Sequence, residues 1–105
     1  MPAAAARSPR PDTEAVAATA CFSIHARTEP GMMPRILGLF AKRGLVPSRW
    51  HSAIGGPGGG ELMIDIHVQG MGGPLADYVA ACLRQIVGVE AVLSARLVRS
   101  ESLEE

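Results

Sequence analysis

Residues 28–44 read TEPGMMPRILGLFAKRG, and the fold turns on whether this stretch is a helix. Two prolines and a glycine crowd its front, yet Met33, Ile36, Leu37 and Phe40 recur at the i, i+3, i+4, i+7 spacing of one helical face. A start near Pro30 or Gly31 reconciles the two. Pro34 then falls in the first turn, where amides have no acceptor inside the helix and a missing N–H breaks nothing. Lys42 and Arg43 put cations at the negative end of the helix dipole, and Gly44 suits a left-handed cap.

Outward from this helix the periodicity changes to two. ACFSIHART (20–28) alternates, with Phe22, Ile24 and Ala26 on one side and Ser23, His25 and Arg27 on the other. VPSRWHSAI (46–54) reads as a strand that Pro47 confines to a sheet edge, because proline cannot donate to a ladder. After the glycine-rich GGPGGG (55–60), ELMIDIHV (61–68) points Leu62, Ile64, Ile66 and Val68 inward and Met63, Asp65 and His67 outward. A second helix follows GMGGP, with Pro74 at its first position and Leu75, Tyr78, Val79, Cys82, Leu83 and Ile86 as its apolar face. VEAVLSARLV (89–98), after Gly88, is the last strand.

The order βαββαβ predicts an α+β, ferredoxin-like sandwich: a four-stranded antiparallel sheet with both helices on one face. Right-handed crossovers put the first and third strands in the centre and the others at the edges. The 105 residues fit one domain, expected over 19–99. Residues 1–18, rich in Ala, Pro and Arg without a periodic apolar face, read as a disordered leader, and 100–105 as an acidic, solvated tail.

Composition narrows the function. Ten basic residues balance ten acidic ones, which removes the electrostatic reason to expect nucleic acid or an anionic membrane. No apolar run is long enough to cross a bilayer. Cys21 and Cys82 form no CxxC pair and read as reduced, buried thiols of a cytoplasmic protein.

Several chemistries lack their residues. GGPGGG has neither the Lys-Ser/Thr nor the strand-to-helix setting of a phosphate loop, and a hairpin connection explains it better. His25 and His67 are expected to neighbour each other on the open sheet face, but Asp65 is the only acid there, so interface histidines outweigh metal ligands. No nucleophile–base pair stands at a recognisable spacing, and no catalytic residue or cofactor is expected. The open face lacks the aromatics of RNA-recognition domains, and the first loop lacks the cysteine pair of copper chaperones. Arg27 lies near that loop without an acylphosphatase-like pattern around it. The opening amides at Gly31, Met32 and Met33 are expected to be unpaired and able to accept a carboxylate or phosphate, unless water and local caps satisfy them.

EPGMMPRILGLFAKRGL, between a strand and a β-hairpin, resembles the ACT domain, and among its members the short regulatory small subunits of acetohydroxyacid synthase. The features that match are E-P-G, Gly38-Leu39-Phe40, Arg43-Gly44 and the QIVGVEAV junction at 85–92. Together they extend over about residues 20–98. The resemblance implies a non-catalytic regulatory protein that forms a homodimer through edge strands and senses a small amino acid or activates a biosynthetic enzyme. Its catalytic partner would be that of acetohydroxyacid synthase, in branched-chain amino acid synthesis, or another enzyme. It places the effector between Thr28, Glu29, Pro30, Gly31, Met32 and Met33 of one chain and Leu45, Val46 and Pro47 of its neighbour. Thr28 and Val46 stand where the family has asparagines, and a valine cannot hydrogen-bond an ammonium. The alternative reading is a structural interaction module that has lost its effector. Trp50, on the expected edge strand, reads as core or dimer contact.

Overall fold

The computed structural model describes residues 18–98. The elements run β1 (Ala18–Arg27), α1 (Met32–Lys42), β2 (Arg49–Gly55), a 3-10 turn at Pro57–Gly59, β3 (Glu61–Gln69), α2 (Gly73–Arg84) and β4 (Val89–Val98). The leader expected over 1–18 and the tail over 100–105 lie outside the described residues, save for Ala18, which begins β1.

The sheet has the order β2-β3-β1-β4, antiparallel throughout, as the βαββαβ reading requires. Alternation sets the buried face. Phe22, Ile24 and Ala26 of β1 and Leu62, Ile64, Ile66 and Val68 of β3 are buried beneath the helices. Phe22 meets Phe40 of α1 edge-on, with ring centroids 5.7 Å apart. Such a pair adds about 0.5–1.5 kcal/mol beyond its area burial.

Both helices are rotated from their expected faces. In α1 the buried stripe is Met32, Ile36 and Phe40, whereas Met33 is half-buried and Leu37 exposed. In α2 the buried residues are Ala76, Val79, Ala80 and Leu83. Two alanines let this helix approach the sheet closely, which turns Leu75 and Tyr78 outward. Tyr78 is taken up by Arg43, whose guanidinium carbon lies 5.4 Å from the ring centroid.

Helix α1 ends as its sequence demands. Gly44 adopts φ 70°, its N–H donates to Ala41 O at 3.0 Å, and the Leu45 N–H donates to Phe40 O at 3.0 Å. This double bond pattern is the Schellman motif, which satisfies carbonyls the helix leaves unpaired. It aims residues 45–48 at the outer edge, where β2 begins at Arg49, three residues later than the expected 46.

His25 and His67 share the open face but are not neighbours, contrary to expectation. His25 pairs with Met63 and His67 with Cys21. Four residues of β3 separate the two rows, about 13 Å at strand rise.

Candidate functional site

The opening of α1 is built by a turn rather than by a side-chain cap. Glu29 O accepts the Met32 N–H at 3.0 Å, and Gly31 O accepts the Arg35 N–H at 3.2 Å. Met32 is therefore not one of the free amides the sequence suggested. The N–H groups of Gly31 and Met33 have no acceptor among the described residues.

Beside them stands a carboxylate held by two guanidinium groups. Arg27 Nε donates to Glu29 Oε2 at 3.2 Å, and Arg35 Nη2 donates to Glu29 Oε1 at 3.3 Å. Arg35 Nη1 also donates to Val87 O at 3.0 Å, tying the α2–β4 junction to the first turn of α1. The ion pairs are exposed and contribute at most about 1 kcal/mol each. Their value is geometric: they hold a negative group at the positive end of a helix, where it is favoured.

Glycine admits this arrangement. A Cβ on Gly31 would lie 3.1 Å from Arg35 Nη2. Gly88 closes the cluster from the other side, its carbonyl accepting the Arg27 N–H at 2.9 Å. Sequence reasoning missed Arg35 and Gly88. Glu29 precedes the helix, so no helical spacing links it to Arg35, and only the fold brings Gly88 to Met32.

The second set of expected site residues lies at the far end of α1. Leu45 packs partly against the core, while Val46 is 81% exposed. The intervening helix of 11 residues spans about 16 Å. Within one copy, the set Thr28–Gly31 and the set Leu45–Val46 are therefore apart. Met33 and Pro47 do come together. With Pro34, Leu37 and Trp50 they line an apolar groove of about 530 Å³ beside β2, an edge strand. Ser52 reaches this region from β2, its hydroxyl 4.0 Å from Met33 Sδ.

A larger groove, about 690 Å³, runs between α1 and the end of α2, with Leu39 and Ile86 in its floor and Arg35, Lys42 and Arg43 around it. Arg43 is anchored there: Nη1 donates to Leu39 O at 3.0 Å and Nη2 to Tyr78 Oη at 3.4 Å and Cys82 Sγ at 3.6 Å. The Tyr78 hydroxyl raises the guanidinium further above its ordinary value.

On the open sheet face, burial first and the Asp65 charge second push the Cys21 thiol up. That thiol is protonated at neutral pH, which slows its reactions as a nucleophile. No group of three or more His, Cys, Asp or Glu side chains gathers to hold a metal among the described residues. None of the described helices is long and apolar enough to cross a membrane.

A family model described as ACT-like domain matches residues 13–101. Solved structures share the fold at low identity. The ACT domain of a GTP pyrophosphokinase from Chlorobium tepidum is 17% identical, with a TM-score of 0.61 over 73% of this chain and 96% of that one. A homoserine dehydrogenase from Thiobacillus denitrificans is 16% identical, with a TM-score of 0.64 over 80% of this chain but 18% of its own. The regulatory subunit of aspartate kinase from Thermus thermophilus is 15% identical, with a TM-score of 0.59 over 76% of this chain and 51% of that one. No curated protein matches the chain.

Proposed function

Because the chain belongs to the ACT-like domain family, we propose that it is a non-catalytic, cytoplasmic regulatory protein whose two copies hold a small amino acid between them. The observation that carries this reading is the apolar groove of Met33, Pro34, Leu37, Pro47 and Trp50 lying beside the β2 edge. Antiparallel pairing of two β2 strands about Ser52 brings Ile54 of one copy opposite Trp50 of the other. Ile54 is 63% exposed in a single copy, and pairing covers both it and the groove. The same pairing carries Leu45, Val46 and Pro47 toward the neighbour's helix opening.

The chemistry at that opening suits a zwitterion. The free amides of Gly31 and Met33, at the positive end of α1, would accept a carboxylate, with Arg35 beside them. Glu29 would take the ammonium, the role that Val46 cannot fill. Thr28 offers a hydroxyl, and Pro30 and Met32 shape the turn. Acetohydroxyacid synthase is the first candidate for the regulated enzyme, on the E-P-G and G-L-F segments of the helix and its entry.

Thermal denaturation against the twenty amino acids tests the sensor. A ligand at 100 times its dissociation constant raises stability by about 2.7 kcal/mol. Capture of the catalytic subunit of acetohydroxyacid synthase from solution tests the partner, and failure to capture it reassigns the enzyme without touching the sensor. A second reading, a docking module without effector, is favoured by the Arg35 guanidinium, which stands beside the helix opening where a side chain on Gly31 would begin and so occupies part of the crevice from within. Stability indifferent to every amino acid would select it.

A further inference from the structure

We infer that the groove between α1 and the end of α2 is a docking site for an extended, acidic segment of a partner protein. An aliphatic side chain of that segment seats on Leu39 and Ile86, and its carboxylates meet Lys42 and Arg43. On the regulatory reading, on which this rests, the segment belongs to the enzyme that the chain controls.

Charge points to the occupant. Three cations and no acid line the groove, α1 carries no Asp or Glu, and the one acid of α2, Asp77, lies outside it. Arg35 is already matched by Glu29. Lys42 and Arg43 have no ion-pair partner among the described residues. Arg43 is nevertheless fixed, because its bonds go to the Leu39 carbonyl, the Tyr78 hydroxyl and the Cys82 thiol, none of them a carboxylate. A cation held in place before binding loses little side-chain freedom when a carboxylate arrives. No aromatic ring lines the groove for a nucleic-acid base to stack on, and the floor is aliphatic, which favours a peptide.

Gly38 supports an occupant that brings its main chain close. It stands in the interior of α1, facing the groove, where glycine costs about 1 kcal/mol relative to alanine. Nothing in the fold requires it: its φ is not left-handed, and an added Cβ would meet no atom within 4 Å. The missing side chain leaves the middle of the groove open, between Arg35 and Lys42, and lets another backbone approach. From Arg35 to Arg43 the groove follows α1 for about 12 Å. That is the span of about four residues of extended chain.

Fluorescence anisotropy tests the site with the peptide Glu-Glu-Leu-Glu-Glu, blocked at both ends, dye-labelled and titrated with the full chain. Saturable binding that weakens with added salt is the expected result. Lys42→Glu weakens it about tenfold or more, since a like charge then faces the carboxylates. Gly38→Leu abolishes it by filling the groove, and a thermal midpoint no lower than wild type shows that this variant is folded. Glu-Glu-Ser-Glu-Glu binds about tenfold more weakly, for want of an anchor. Absence of binding overturns the inference, as does binding indifferent to both substitutions. Equal affinity for the serine peptide, or displacement by inorganic phosphate at matched charge, also overturns it and makes the groove a site for small anions. Lys42 and Gly38 lie outside the proposed amino-acid crevice, so both variants keep any thermal response to amino acids. A chain that responds to an amino acid but ignores the peptide contradicts the docking site alone. A chain that binds the peptide but responds to no amino acid contradicts the sensor alone.

Discussion

Gly88 lies against Met32: a Cβ on this glycine would stand 2.5 Å from Met32 Cε. Its φ of 98° is a conformation that side chains rarely adopt, and the space beside it is already filled by a core methionine. Gly88→Ala therefore combines backbone strain with overpacking, together about 2–4 kcal/mol. Gly44 has a comparable φ of 70°, but nothing lies within 4 Å of its added Cβ. Gly44→Ala is expected to cost about 1 kcal/mol, from strain alone. Urea denaturation of the two variants measures both values, and equal losses would contradict this account of Gly88.

Glu29 separates structural from binding roles. Its ion pairs with Arg27 and Arg35 are exposed, so Glu29→Gln is expected to change stability by less than about 1 kcal/mol, with the difference vanishing at high salt. The same variant is expected to lose any thermal response to amino acids, because the ammonium has no counter-charge. A full response in Glu29→Gln would remove Glu29 from the site.

Most of the fold was legible because two hydrophobic periods alternate along the chain. The strict alternation of 20–28 and 61–68 identified β1 and β3, and proline at 47 pointed to an edge before any pairing was known. Helix rotation was less legible. Met32 and Met33 are chemically alike, and only packing decides that Met32 enters the core while Met33 lines the groove. The register shift between His25 and Ala26, where β4 carries one extra residue, has no marker in the sequence. The site divides in the same way. A local motif contains Glu29, Gly31 and Met33. Arg35 acts through Val87, 52 residues away, and that contact exists only once α1 and the α2–β4 junction are packed.

Alkaline pH tests the Cys21 environment. Burial, then Asp65, raises this thiol above its ordinary value, so the folded chain keeps a proton that the unfolded chain releases. The stability this contributes is fully present below the ordinary thiol range and is lost as pH rises through the folded-state value. Cys21→Ala is expected to flatten the alkaline fall in stability. Asp65→Asn is expected to speed alkylation of Cys21, followed by mass spectrometry at fixed pH, by removing the charge that opposes the thiolate. Alkylation at an unchanged rate would mean that Asp65 does not act on this thiol.

Trp50 reports on the β2 edge. It is the only tryptophan and is half-buried beside the groove, so the proposed pairing of two β2 strands would withdraw it further from water. Ile54→Arg is expected to dissociate the β2 dimer and shift Trp50 emission to longer wavelength. Emission that stays the same at concentrations where the wild type is dimeric would place the dimer contact elsewhere.

Calorimetric titration of amino acids into wild-type protein and into Ile54→Arg tests most directly whether two copies share a binding crevice. The expected result is saturable binding of a small amino acid to the wild-type dimer, at one equivalent crevice per chain, and its loss when β2 pairing is broken. Equal binding by the two proteins would show that the crevice is not shared. Heat of dilution alone from all twenty amino acids with the wild type would show that it is not a sensor.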